Sequence, residues 1–160
     1  MQAITPFLWF DDQAEEAATL YTSLFPNSKI NKVTRYGEVG HGKAGTVMTV
    51  DFELNGRPFV ALNGGPHYTF SEAVSFVVNC ETQEEVDRYW EQLSEGGEKG
   101  PCGWLKDRYG VSWQVTPAIL GELLSDPDPE KSQQVMAAML QMGKIEIEPL
   151  RRAYEGKEAA

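Results

Sequence analysis

Slid along itself by 69 positions, the chain matches in kind: Phe7 falls on Phe76, Leu8 on Val77, Glu15-Glu16 on Glu84-Glu85, Ala17 on Val86, Tyr21 on Trp90 and Leu24 on Leu93. Self-similarity at a fixed offset restricts a chain to architectures built from repeated units. Any two strand–helix units share part of this pattern. The paired glutamates and the aromatic pair falling in one register favour a true repeat.

Each copy begins with an apolar run. Ile4 to Phe10 and Ala73 to Asn79 read as buried strands. Asp11 or Asp12 is then predicted to cap a helix whose apolar positions run from Ala14 to Phe25, and Pro26-Asn27 ends it. In the second copy Thr82 is the predicted cap, Val86, Tyr89, Trp90 and Leu93 form the apolar stripe, and Gly96-Gly97 stops the helix. Ser28 to Gly37 reads as a strand, followed by a glycine-rich loop to Gly45 that carries His41. Thr46 to Leu54 alternates with period two, Met48, Val50, Phe52 and Leu54 sharing one face. Asn55-Gly56 predicts a hairpin into Arg57 to Leu62. That strand runs into Asn63-Gly64-Gly65-Pro66, where glycine permits a close approach to the backbone and proline ends the ladder. Two strands around Cys102 to Lys106 and Ser112 to Thr116 flank the turn Asp107 to Gly110. After Pro117 the pattern is helical: a short segment from Ala118 to Leu124, an amphipathic helix from Glu130 to Met142, and a last arm through Ile145, Ile147, Leu150 and Tyr154. Its methionine-rich stripe reads as packing surface, covering the sheet or a second subunit.

Composition narrows the partners. A formal net charge of −10 repels phosphate backbones and anionic membranes, so neither nucleic acid nor membrane is an expected partner. No apolar run approaches the roughly 18 residues that span a bilayer, and the N-terminus lacks signal-peptide chemistry. Two cysteines, Cys80 and Cys102, without CxxC spacing imply no disulfide framework, and a cytoplasmic location is the simplest expectation.

Three segments carry a family resemblance: Leu8-Trp9-Phe10 with Ala14-Glu15-Glu16-Ala17 and Tyr21 to Ser28; Ala61 to Pro66; and Cys80 to Asp87 with Trp90, Cys102 to Asp107 and Gly110 to Gln114. Together they resemble the PhnB-like branch of the glyoxalase/bleomycin-resistance/dioxygenase group, the vicinal oxygen chelate superfamily, whose members are often labelled 3-demethylubiquinone 3-methyltransferase domains. The resemblance implies an α+β fold of two βαβββ modules forming a curved mixed sheet around a cavity, here about residues 1–66 and 71–117, with a helical extension over 118–160, and a homodimer. Metal-dependent relatives place a His or Glu at matching points of both modules. Those places fall here on Pro6 or Thr5, Asn63, Val74 or Ser75, and Gln114, a set without the usual ligands. No metal and no cofactor is therefore expected. The family's strand parity would turn Leu8, Phe10, Val77 and Asn79 toward the cavity beside Pro6 and Ser75, and Phe7, Trp9, Phe76 and Val78 toward the helices. Asn63, Gln114 and Trp104 would orient a planar or aromatic small molecule, with His67 at the rim. The expected function is metal-independent small-molecule binding. The alternative is a metal-free enzyme using His67, or a carboxylate such as Asp107, for proton transfer. Methyl transfer is not expected, because the dense glycine clusters do not fall on strand-to-helix turns.

Overall fold

The computed structural model describes residues 2–157. It divides into two compact units, one ending at Phe70 and one beginning at Ser71. The first contains β1 (Phe7–Phe10), α1 (Ala14–Leu24), β2 (Lys29–Arg35), β3 (Val47–Leu54) and β4 (Arg57–Asn63). The second contains β5 (Ser75–Cys80), α2 (Gln83–Ser94), β6 (Glu98–Lys99), β7 (Trp104–Lys106) and β8 (Ser112–Pro117), then α3 (Ala118–Leu124), α4 (Pro129–Met139) and α5 (Ile147–Tyr154). The sheets have strand orders β1-β4-β3-β2 and β5-β8-β7-β6. In each, the first strand pairs parallel with the last and the other pairings are antiparallel. The fold is thus α+β, two βαβββ modules with C-terminal helices.

In the first unit the alternation of β3 places Val50, Phe52 and Leu54 in the core, where Phe52 stacks on Phe59 and lies near the Tyr21 ring of α1. Asn55 (φ 50°) and Gly56 (φ 80°) supply the two left-handed residues of the β3–β4 hairpin. The expected strand from Ile4 shortens to Phe7–Phe10, and Ile4 is exposed. The ladder reaches back as far as Val60 N–H donating to Pro6 C=O, 3.0 Å. One step further the donor would be Pro58, which has no N–H.

One expectation inverts. Leu8 and Phe10 are 8% and 2% exposed and share the helix-covered face with Ala61 and Val50, whereas Phe7 is 58% exposed. The cause is a link of different length. Three residues, Asp11 to Gln13, join β1 to α1, but two, Glu81 and Thr82, join β5 to α2. The helices correspond at a shift of 69, as read from the sequence, while the strands correspond at 70, so Leu8 matches Val78 and Phe10 matches Cys80, all four buried. A one-residue slip exchanges the faces of a strand.

In the second unit α2 is capped as expected: Thr82 Oγ1 accepts from Glu85 N–H at 3.2 Å, and Glu85 Oε2 accepts from Glu81 N–H at 2.7 Å. Its apolar stripe covers a sheet face carrying Phe76, Val78, Leu105, Trp113 and Val115. The two-residue β6 carries no apolar alternation that would announce it. Cys80 is buried, and desolvation, with the Glu85 charge second, pushes its thiol up to about 11. The C-terminal helices form a core of their own around Leu120, Val135, Ile145 and Leu150, with Met139 and Met142 against it; Met136 and Leu140 remain exposed. Gln83 ties this extension to α2 by donating to Ile145 C=O at 3.1 Å and accepting from Ile147 N–H at 2.8 Å.

An ion pair reinforces that tie. Lys144 Nζ lies 2.8 Å from Asp87 Oδ1, and Gln83 Nε2 donates to the same oxygen at 3.0 Å. The ammonium first, then the amide, hold the Asp87 carboxyl below its ordinary 3.8, and Asp87 raises Lys144 above 10.5. The pair therefore stabilises fully between those values. Its contribution is lost as pH falls below 3.8 through the folded Asp87 value, or rises above 10.5 through that of Lys144. Both partners are partly exposed, so screening keeps the contribution below about 1 kcal/mol. Lys144→Met should lower neutral-pH stability by less than about 1 kcal/mol and shrink the fall in urea midpoint below pH 3.8 by the same amount. An acid limb identical to the parent's would show that the pair contributes nothing.

Candidate functional site

The face of the second sheet turned away from α2 presents three rows of side chains, set by strand register. Ser75, Ser112 and Lys106 form one row across β5, β8 and β7; Val77, Gln114 and Trp104 form the next; Asn79 and Thr116 form the third. Gln114 Nε2 donates to Ser75 Oγ at 2.9 Å, and Trp104 is half-buried beside them. Three of the sequence-predicted site residues, Ser75, Trp104 and Gln114, thus come together in one patch. Ser112 Oγ is buried and has no hydrogen-bond partner among the described residues. An unpaired hydroxyl in a protein interior costs about 1–3 kcal/mol. At the edge of the patch Lys106 is ion-paired with Glu72, which holds the Glu72 carboxyl below its ordinary range and lifts the Lys106 ammonium. Neither residue was singled out from the sequence. The alternation Trp104-Leu105-Lys106 is the signal that places Lys106 on the open face.

The other predicted residues go elsewhere. Leu8 and Phe10 lie in the core under α1, which corrects their expected cavity-facing parity. His67 is exposed in the turn after Pro66. Asn63 does structural work in the first unit: its Oδ1 accepts from Ala14 N–H at 2.8 Å and its Nδ2 donates to Val47 C=O at 3.2 Å. Asn63, at the end of the neighbouring strand β4, therefore caps α1. Gln13 occupies the N-cap position without a side-chain bond, so neither Asp11 nor Asp12 caps the helix. Asp107, the alternative proton-transfer carboxylate, is 3% exposed and is held by the N–H groups of Tyr109, Val111 and the Trp113 indole.

The glycines after Asn63 are dictated by Trp9. The indole Nε1 donates to Gly65 C=O at 2.9 Å, and a Cβ on Gly64 would lie 2.3 Å from the indole ring. Gly64→Ala should therefore force Trp9 outward and destabilise by about 1–2 kcal/mol. A blue-shift or red-shift of tryptophan emission together with a lowered melting temperature is the expected result. An unshifted spectrum and an unchanged Tm would contradict this packing.

The donor set bears on the metal sites of relatives. Among the described residues no three His, Cys, Asp or Glu side chains are grouped so as to hold a metal ion. Of the residues at the inferred ligand places, Pro6, Val74 and Ser75 offer no strong ligand, and the two neutral amides are already engaged within the protein, Asn63 with Ala14 and Val47, Gln114 with Ser75. Such a set compensates none of the charge of a divalent ion and does not fit one. Among the described residues no helix is long and apolar enough to cross a membrane.

Comparison with known proteins places these features in a lineage. The family model described as 3-demethylubiquinone-9 3-methyltransferase matches residues 2–116. A solved structure described as a putative 3-demethylubiquinone-9 3-methyltransferase, PhnB protein, from Bacillus cereus is 43% identical over 73% of this chain and 100% of its own, with a TM-score of 0.66. Protein PA1353 from Pseudomonas aeruginosa is 20% identical, covering 73% of this chain and 98% of its own, TM-score 0.61. The fosfomycin resistance protein FosX from Listeria monocytogenes is 16% identical, covering 76% of this chain and 97% of its own, with a TM-score of 0.52, and shares the fold. No curated protein matches the chain. With the repeated module order already established, the match across 2–116 and the 43% identity make this chain a member of the PhnB-like 3-demethylubiquinone-9 3-methyltransferase family.

Proposed function

We propose that the chain is a metal-independent small-molecule-binding protein that receives a planar ligand on the open face of β5, β8 and β7. The convergence of Trp104, Gln114 and Ser75 carries this reading. Trp104 offers a flat apolar surface, Val77 widens it, and the Gln114–Ser75 pair supplies a positioned amide and hydroxyl. A mostly apolar surface with a few fixed polar groups is the profile of a small-molecule site. The engaged neutral amides at the inferred metal positions support independence from a metal. The resemblance also leads us to place the working form as a homodimer, which light scattering would test.

Methyl transfer draws little support. A donor such as S-adenosylmethionine uses a glycine-rich turn between a parallel strand and a helix; here the links Asp11-Asp12-Gln13 and Glu81-Thr82 hold no glycine, and β8 runs directly into α3 at Pro117-Ala118. A metal-free enzyme has as its candidates an exposed His67 and an Asp107 fully occupied in a turn.

A thermal-shift screen of planar aromatics, followed by titration, tests the reading. Trp104→Ala and Gln114→Ala should each weaken a hit about tenfold, equivalent to about 1.4 kcal/mol, while Asn63-centred contacts in the first unit leave its affinity untouched. A hit whose affinity is unchanged in both variants, or a requirement for added divalent metal, would overturn it.

A further inference from the structure

Ser112 belongs to the open face of the second sheet, yet it is 1% exposed and its hydroxyl has no hydrogen-bond partner among the described residues. Its direction follows from strand alternation. Trp113 and Val115 are buried on the side of α2, so Ser112 and Gln114 turn the other way. Register sets Ser75 on one side of Ser112 and Lys106 on the other, with Glu98 of β6 beyond Lys106. The Lys106 ammonium is paired with Glu72, from the turn before β5, and not with Glu98. We propose that the planar ligand of this face carries a carboxylate, which replaces Glu72 on the Lys106 ammonium and accepts a hydrogen bond from Ser112 Oγ. The proposal rests on ligand binding at the open face and names the class bound there, an aromatic carboxylic acid.

The free protein already holds a carboxylate at this ammonium, that of Glu72, and holds it weakly. The Lys106 and Glu72 side chains are 37% and 58% exposed, and an ion pair so open to water contributes little. A ligand carboxylate offers Lys106 the same kind of partner. It also gives the Ser112 hydroxyl the acceptor that it lacks, a charge-assisted bond that the free protein does not make. The hydroxyl is covered in the free protein, and release from Glu72 leaves the long Lys106 side chain beside it able to move. One ammonium and one hydroxyl match a monoanion. Glu98 in the same row disfavours a second negative charge, so a carboxylate fits better than a dianionic phosphate.

The apolar part of the ligand has its place in the next row. Val77 and Trp104 lie two residues along the strands from Ser75 and Lys106, a separation of about 7 Å. A bicyclic aromatic acid spans that distance from its far ring to its carboxylate.

Calorimetric titration of the full chain with 2-naphthoate and with its neutral counterpart 2-naphthamide tests the proposal. Naphthoate should bind at least about tenfold more tightly than naphthamide. Lys106→Met should bring naphthoate down to the affinity of the amide. Glu72→Gln, at an exposed position, should tighten naphthoate about threefold by removing the internal competitor. Ser112→Ala should weaken naphthoate about fivefold while the melting temperature stays at or above the parent's, because the hydroxyl it removes is unpaired in the free protein. A fall in melting temperature with naphthoate affinity unchanged would make Ser112 structural and overturn its role. Should Lys106→Met fold poorly, the Glu72 and Ser112 variants still decide. Equal binding of acid and amide, both weakened by Trp104→Ala, would overturn the carboxylate and leave planar-ligand binding standing. Absence of saturable naphthoate binding, a preference for the acid that survives Lys106→Met, or weaker naphthoate binding in Glu72→Gln would each overturn the proposal.

Discussion

Asp107→Ala should lower the stability of this protein by about 3–5 kcal/mol, read as a large fall in urea midpoint. The side chain is 3% exposed and makes three directed contacts. Oδ1 accepts from Tyr109 N–H at 2.9 Å and from Val111 N–H at 3.0 Å; Oδ2 accepts from the Trp113 indole N–H at 2.9 Å. Val111 and Trp113 are themselves buried, at 2% and 3% exposure. Truncation strands two donors in the interior where water does not reach, and that penalty is larger than the net worth of the bonds when intact. The main-chain bonds between Asp107 and Val111 and between Gly110 and Asp107 close the same turn, so the side chain and the backbone fail together.

Two further variants separate this account from a simple loss of packing. Asp107→Asn keeps an oxygen for Tyr109 and Val111 but turns an amide N–H toward the indole N–H, so its stability should fall between parent and Ala. Combining it with Trp113→Phe removes the opposed donor, and the cost of Asn should then shrink by about 1 kcal/mol or more in a double-mutant cycle. An Asp107→Ala protein within about 1 kcal/mol of the parent would show that the turn holds without its carboxylate.

The same residue marks where sequence reading works. A turn of the form Asp107-Arg108-Tyr109-Gly110 is local, so its chemistry is visible in four letters. The cap at Thr82, the Asn55-Gly56 hairpin and the alternation of β3 are local in the same sense, and the elements they bound fall where the residues place them. Ser75, Trp104 and Gln114 meet because strand pairing follows from the module order once the repeat is seen. What was not legible depends on contacts across long stretches of chain. Leu8 and Phe10 exchange faces because one link holds one residue more than its counterpart, a difference invisible to a repeat aligned on the helices. The Tyr36 hydroxyl donates to the Asn63 C=O across a long stretch of chain, and no periodicity reports that bond.

Asn63 gives the sharpest case. Read as the polar residue at the mouth of a strand, it is the natural ligand contact, and Asn63→Ala would then cost affinity alone. In the folded chain its amide joins three elements: Ala14 N–H at the start of α1, Val47 C=O at the start of β3, and its own strand β4. Asn63→Ala should therefore destabilise the protein by about 2–3 kcal/mol, a lost cap plus a second bond, with Ala14 fully buried and its N–H left unpaired. Asn63→Asp keeps the acceptor, and its charge suits a helix N-terminus. It also sets an oxygen against the Val47 carbonyl and adds a negative group to a cleft already lined by Asp11, Asp12 and Glu15, so it should recover only part of the loss. Amide exchange resolves the mechanism. In Asn63→Ala, the Ala14 amide and those of the first turn should exchange faster than in the parent by more than the global change in stability requires, because the helix start frays locally before the unit opens. A uniform increase across the whole first unit, or none at all, would instead mean that α1 is held by the packing of Ala17, Ala18 and Tyr21 and has no need of a cap borrowed from β4.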